Sequence, residues 1–243
     1  MCSVSWMREG SILRVFMNRD ERRTRAAEAP PAETLRDGVR RIAPADGEAG
    51  GTWIAVNEYG LVVLVVNGYL ADDCEPMDAP RSRGLLVHDV AAARTSGELR
   101  TRLEAHDLRR YRSFRMLGLH PDDAGLLATW DTRSLDVVTD AEPYCPLLSS
   151  SHAASAVAAA RLDAWSASTA ATTRDVDALL AYHAGHAHGV SAYSVCMHRD
   201  DAETRSFTRV DVENERVRLE WTPGPPCRRA RSVAVELARV NRA

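Results

Sequence analysis

The sequence predicts an α+β fold in which two antiparallel sheets stack face to face and helices cover their outer sides, a four-layer α/β/β/α sandwich. Three observations carry this expectation. Patterned segments follow the order strands, helices, strands, helices, strands. The first strands are joined by short turns, which make antiparallel hairpins. The helical stretches are rich in Ala and Leu, and such helices bury one face against another layer. At 243 residues, 45% apolar and 27% charged, the chain has the make-up of a globular protein and is read as one domain over 1–243. A net charge of −3 gives no broad electrostatic case for nucleic acid or an anionic membrane. All the Lys+Arg cations are arginine, and Gln is absent too. No apolar run approaches the ~18 residues of a membrane span, and the first residues, which lack a basic region followed by an apolar run, do not read as a signal peptide. Five widely spaced cysteines without a CxxC pair argue for a reducing, cytoplasmic setting rather than a disulfide framework.

Taken in order, Cys2–Arg8 alternates partly and reads as a strand, Glu9-Gly10-Ser11 as a turn, and Ile12–Asn18 as a second strand. A hairpin turning around Glu9-Gly10 sets Cys2 opposite Met17 or Asn18 and brings Asn18-Arg19-Asp20 out beside it. Residues 22–49, with Pro30-Pro31 and Pro44, read as a long loop over a site. Gly50-Gly51-Thr52-Trp53 leads into a strand ending at Asn57, Glu58-Tyr59-Gly60 turns it, and Leu61–Asn67 is an apolar strand buried on both faces. That second hairpin puts Gly51 near Asn67. Residues 70–80 are a connection. Arg81–Arg110 reads as two helices broken near Ser96-Gly97. Arg112–Leu119, Gly125–Trp130 and Leu135–Thr139 return to strands, and Leu147–Ser151 reads as a short one. His152–Ser168 and Thr173–Ala184 read as helices. Tyr193–His198, Thr204–Val212 and Arg216–Thr222 close the chain as strands.

The chemistry centres on position 2. Removal of Met1 leaves Cys2 with a thiol and an α-amine on one carbon. In model compounds the amine titrates near ~7.7–8.0 and the thiol near ~8.5, so near neutral pH the amine can take the thiol proton. One residue then supplies nucleophile and base. Asn18, Arg19 and Asp20 add an amide, a guanidinium and a carboxylate at the same end of the hairpin. Asn67 could offer a side-chain N–H to an oxyanion, and glycines beside it would let backbone N–H groups approach a ligand.

Cys2, the tetrad Asn18-Arg19-Asp20-Glu21, Gly50-Gly51-Thr52-Trp53, Asn67, and the later stretches Tyr193–His198 and Thr204–Thr208 together resemble the NRDE family of the Transport-and-Golgi-organisation type. The resemblance implies an N-terminal-nucleophile (Ntn) hydrolase sandwich. More distantly the chain is similar to choloylglycine and penicillin V acylases, which cleave amides with an N-terminal Cys. By that resemblance Cys2, Asn18, Arg19, Asp20 and Asn67 are the catalytic set: Arg19 lowers the thiol pKa, Asp20 holds the α-amine, and Asn67 with a backbone N–H near Gly51 binds the oxyanion. Gly50, Gly51, Thr52 and Trp53 line the substrate site. Ser149-Ser150-Ser151 stands where the acylases lead one to expect a second Asn, with Ser150 assigned to the substrate site, and Arg205 corresponds to a late active-site Arg. The implied substrate is a small N-acyl molecule, hydrolysed or used for acyl transfer, with no cofactor and no assigned metal.

Two other readings use the same scaffold. The family is linked to haem trafficking, and His183, His186, His188 and His198 cluster around Cys196, which makes haem the alternative cofactor. The other reading is a catalytically silent interaction protein that keeps Cys2 for structure. Oligomeric state is open, and Cys74, Cys145 and Cys227 carry no assigned chemistry.

Overall fold

The computed structural model describes residues 2–69, 80–170 and 175–240. In chain order the strands are β1 (Cys2–Glu9), β2 (Ile12–Arg22), β3 (Ala29–Arg36), β4 (Val39–Ala45), β5 (Ile54–Asn57), β6 (Val62–Asn67), β7 (Phe114–Leu119), β8 (Leu126–Trp130), β9 (Leu135–Val138), β10 (Leu147–Ser149), β11 (Ala202–Val212), β12 (Arg216–Pro223) and β13 (Val233–Ala238). The helices are α1 (Arg83–Val90), α2 (Ser96–Glu104), α3 (Ala154–Ala170) and α4 (Val176–Ala184). One sheet has the order β10-β1-β2-β11-β12-β13 and the other β3-β4-β5-β6-β7-β8-β9. Every pairing is antiparallel.

Strand periodicity builds the layers. On β1 and β2, Val4, Trp6, Leu13, Val15 and Met17 point inward and meet Ile42, Ile54, Val56, Leu64 and Leu117 of the other sheet. On β6 the alternate residues Val63 and Val65 point outward and pack with Leu86, Val87 and Val90 of α1 and Leu99 and Leu103 of α2. That double burial explains the unbroken apolar run at 61–66. On the first sheet Met7, Phe16 and Phe207 point outward against Trp165 of α3 and Leu179 and Tyr182 of α4. The result is the predicted four-layer sandwich. Burying one Val or Leu side chain stabilises by about 1.5–3 kcal/mol, whereas an exposed ion pair contributes about 0–1 kcal/mol. The three apolar layers, not the numerous surface Arg–carboxylate pairs, therefore hold the fold.

Four expectations are corrected. The first hairpin turns on Gly10-Ser11, so Glu9 pairs with Ile12 and Cys2 faces Arg19, not Met17 or Asn18. A two-residue loop needs positive φ at its first central position, and Gly10 supplies it at φ +59. Residues 22–49 contain the β3–β4 hairpin. β3 is an edge strand with one buried residue, Pro31, so it shows no alternation and its prolines read as loop. The helix break lies before Ser96, because Thr95 caps α2 by accepting from the Glu98 N–H, while the Glu98 carboxylate accepts from the Arg94 N–H. Tyr193–His198 is not a strand: it meets the sheet through a lone bridge, His198 to Glu203. β13 is an addition. The 70–80 connection falls, apart from Pro80, outside the described residues.

Beneath α4 the sandwich buries an imidazole. His183 lies between Phe16 and Phe207, with ring centroids at 6.0 and 5.5 Å. Asn18 Nδ2 donates to the carbonyls of His183 and Val195, both at 2.9 Å, so its Oδ1 is left to accept from His183 Nδ1 at 3.1 Å. Ser5 Oγ then donates to Nε2 at 2.8 Å. Both ring nitrogens are satisfied in the neutral form, and burial, with Arg161 adding to it, pushes the pKa down to about 3. The unfolded chain therefore binds a proton here between about pH 6.5 and 3 that the native state refuses, so stability is complete above 6.5 and falls as pH drops. Urea unfolding at pH 6.5 and pH 5 should show a loss of about 2 kcal/mol from this group. His183→Gln should start less stable and lose correspondingly less. Equal losses in the two proteins would remove His183 from the acid response.

Candidate functional site

The register of the first hairpin builds the site. Residues directly opposite on paired strands share a face, so Cys2 and Arg19 lie together on the inner face and Ser3 and Asn18 on the outer. Cys2 is buried at the end of β1, continuous with the inter-sheet core. It forms part of an open cleft of about 600 Å³. Arg19, Asp20 and Glu21 of β2 line this cleft, with Asp46, then Gly51, Thr52 and Trp53, then Asn67 of β6, and the start of α1 at Ser82–Gly84.

Arg19 is held from three sides. Its guanidinium donates to Glu28 at 2.5 Å and to Asp46 at 2.6 Å, and its Cζ sits 4.5 Å from the Trp53 ring centroid. Asp46 also receives two bonds from Arg25, at 2.7 and 2.8 Å, and the backbone N–H of Ala49 at 2.9 Å. Burial acts to raise the Asp46 pKa, but the hydrogen bonds from Arg25 and Ala49 outweigh it and hold the carboxyl below its ordinary value. Glu28 accepts in addition from Trp221 Nε1 at 3.2 Å. The 22–49 region thus supplies Arg25, Glu28 and Asp46 from the connections on either side of the β3–β4 hairpin.

Asp20 faces the other way. Its Oδ2 accepts both terminal nitrogens of Arg161, each at 3.1 Å, and its Oδ1 accepts from Thr204 Oγ1 at 2.7 Å. Both side chains of the Arg161–Asp20 pair are fully buried. Arg161 also donates to Ser3 Oγ at 2.7 Å, so α3 is clamped to the first two strands.

The Cys2 thiol pKa is raised. Burial is the largest cause; the positive amino terminus lowers it, Asp20 raises it, and Arg19 and the Asp20 N–H lower it. Arg19 acts in the expected direction, but burial dominates, so the resting group is a thiol and attack needs a base.

Cys2, Arg19, Asp20, Gly51, Thr52, Trp53 and Asn67 come together. Asn67 donates to Tyr69 Oη at 2.7 Å, and its carbonyl accepts from Ser149 Oγ at 2.7 Å. Gly51 lies against α1, where an added Cβ would stand 2.4 Å from the Gly84 carbonyl carbon. Its missing side chain serves close packing rather than ligand approach. Asn18 is not part of the cleft; it sits on the outer face with His183. Gly50 is exposed, with φ +64. Ser150 donates to the His152 carbonyl at 2.7 Å and lines a separate cleft. Arg205 falls at the bulge where β11 pairing jumps from Thr204 to Ser206, and its guanidinium reaches the Arg23 carbonyl at 3.3 Å. Arg161, Asp46 and Glu28 were not foreseen. The apolar part of the second cleft is lined by Pro146, Leu148, Val157 and Leu162, and this cleft lies open to solvent over β10.

The sandwich, with a cysteine at the end of its first strand facing an inter-sheet cleft, has the fold of the Ntn hydrolases. The chain belongs to the Transport and Golgi organisation 2 family, which it matches over residues 1–209. Penicillin V acylase from Agrobacterium tumefaciens superposes with a TM-score of 0.57 at 11% identity, over 92% of this chain and 86% of that one. A mutant conjugated bile acid hydrolase from Clostridium perfringens gives 0.56 at 9%, over 98% and 92%. The Caenorhabditis elegans ortholog of N-acylethanolamine-hydrolyzing acid amidase gives 0.52 at 11%, over 86% and 92%. At these identities the likeness is one of fold. Among curated proteins no sequence matches this chain. Among the described residues no helix is long and apolar enough to cross a membrane.

The charge network sets a stability prediction. Asp46→Asn leaves Arg19 and Arg25 without their shared counter-charge and should cost about 3 kcal/mol in urea unfolding, the scale for breaking a buried pair from one side. Glu33→Gln, in the exposed Arg40–Glu33 pair, should leave the midpoint in place. Similar midpoints for the two variants would mean that the Asp46 network does not brace the site.

Proposed function

We propose that the protein is an N-terminal-cysteine amidohydrolase that cleaves a small N-acyl molecule through an acyl-Cys2 intermediate after Met1 is removed. The observation that carries this reading is the position of Cys2, buried at the end of β1, facing Arg19 across the ladder and sharing a cleft with Asn67 and Gly51. Because burial keeps the thiol protonated, the adjacent α-amine is the base. It accepts the thiol proton as sulfur bonds to the carbonyl carbon and gives it to the leaving amine as the C–N bond breaks. Water then attacks the thioester, the α-amine takes its proton, and the acid leaves as Cys2 regains a thiol. An acceptor amine in place of water makes the same site an acyltransferase.

In this reading Asn67 Nδ2 and a backbone N–H near Gly51 meet the tetrahedral oxyanion, where one such donor is typically worth ~2.7–4 kcal/mol. Asp20, fixed by Arg161 and Thr204, orients the α-amine. Arg19 contributes positive charge on Cys2's face, tempered by Glu28 and Asp46. The cleft over β10, next to Cys2's own strand and partly walled by Pro146, Leu148, Val157 and Leu162, suits an apolar acyl chain.

Intact-mass spectra before and after brief exposure to N-acyl amides test the reading. The expected result is a mass lacking Met1 and a transient acyl adduct that Cys2→Ala abolishes. A mass that retains Met1 would sink the free-amine mechanism. On a reactive amide, kcat/KM should rise with pH through the α-amine titration, and Asn67→Ala should lower kcat by about 10²–10³ if its amide is an oxyanion donor. An unchanged kcat in Asn67→Ala would take Asn67 out of that role.

A further inference from the structure

Behind Asp20, on the outer side of the first sheet, four side chains from three separate segments converge. His186 follows the end of α4, Cys196 and His198 lie in the segment before β11, and Cys227 sits in the 3-10 turn Pro226–Arg228 between β12 and β13. One ligand atom from each lies within 4.8 Å of all the others. His198 Nε2 is 3.6 Å from Cys196 Sγ and 3.5 Å from Cys227 Sγ. The His186 and His198 rings are 5.1 Å apart between centroids. His186 Nε2 is buried and has no hydrogen-bond partner. Both cysteines are free thiols.

We propose that His186, Cys196, His198 and Cys227 form a tetrahedral Cys2His2 site for a zinc-class divalent ion. Geometry supports the assignment. With Zn–S near 2.3 Å and Zn–N near 2.0–2.1 Å, a tetrahedral site has S···N edges of about 3.6 Å, and both measured S···N distances match. The donor set of two thiols and two imidazoles is a structural zinc set with no open position. The cluster does not suit haem, whose iron already has four porphyrin nitrogens and takes axial ligands from opposite faces. Three of the four, His186, Cys196 and His198, belong to the His/Cys cluster visible in the sequence; Cys227 lies 29 positions from His198, and no CxxC pattern announces it.

The ion would pin the end of α4, the 191–198 segment and the β12–β13 connection to one point. That segment is also bonded to β11: Met197 N donates to Thr204 Oγ1 at 2.8 Å, and Thr204 N donates to the Met197 carbonyl at 2.9 Å. Thr204 in turn holds Asp20. The site is therefore structural, and it braces the Asp20 side of the cleft. Binding displaces one proton from each thiol and no electrons move, so affinity should fall as pH is lowered.

The test uses the full-length protein purified without chelator, followed by metal analysis, thiol counting, and cobalt(II) loading of the reduced apoprotein. The expected result is one equivalent of tightly held zinc. Cobalt should give the intense visible bands of a tetrahedral centre and a thiolate-to-cobalt charge-transfer band. Cys196→Ser and Cys227→Ser should each lose about half of the charge-transfer intensity, and Cys145→Ser should keep all of it. Weak octahedral cobalt bands in the wild-type protein would overturn the proposal, as would a Cys196–Cys227 disulfide in freshly purified protein. The wild-type spectrum decides the matter even if a serine variant fails to fold.

Discussion

The two-residue turn at Gly10-Ser11 governs what the rest of the structure can do. Side chains on a strand alternate with a period of two, so a slip of one position would move every residue of β2 to the opposite face. With Gly10 first in the turn, Arg19 joins Cys2 between the sheets while Asn18 and Asp20 turn outward with Ser3 and Ser5. Each face then requires its own partners. Inside, Arg19 needs Glu28, Asp46 and Trp53. Outside, Asp20 needs Arg161 and Thr204, and Asn18 needs His183. The tetrad is thus divided between two sides of one sheet, and a single strand end serves both the cleft and the packing beneath the helices.

This division explains why buried charge is tolerated there. An isolated ion in an apolar interior is costly, but one that is paired and hydrogen-bonded persists. Arg161 meets Asp20, Ser3 Oγ and the Ala192 carbonyl through its two terminal nitrogens, while its buried Nε has no partner. These bonds tie α3, β1, β2 and the 191–198 segment into one block. The cleft over β10 is walled partly by α3, so its wall and the strand that carries Asp20 are fastened together.

Much of this was legible in the sequence. Elements with an apolar face to bury announced themselves, as the 61–67 strand run and the Leu-containing helix α1 show. The hidden elements were those with little to bury: β3, whose single buried residue is a proline, and β13, whose only fully buried residue is Leu237. In the site, Cys2, Arg19, Asp20 and Asn67 could be found because they sit at hairpin ends whose pairing follows from short turns, and Thr52 and Trp53 through the family motif they belong to. Asn18 was misplaced by the one-residue register. Arg205 was misplaced by a bulge that local sequence does not signal. Arg161, Asp46 and Cys227 reach their partners only through tertiary folding, so nothing in their neighbourhoods marks them.

The sheet borders have a further consequence. An open sheet edge displays unpaired N–H and C=O groups that invite strands from other molecules. Here the outermost strands are poor templates. β3 carries Pro30 and Pro31 with the charged Glu33 and Arg36, β9 has four residues, and β10 has three and follows Pro146. The thirteen strands among the described residues form two sheets with little continuous edge on these three margins, which guards the protein against the edge-to-edge aggregation to which so β-rich a fold would otherwise be exposed.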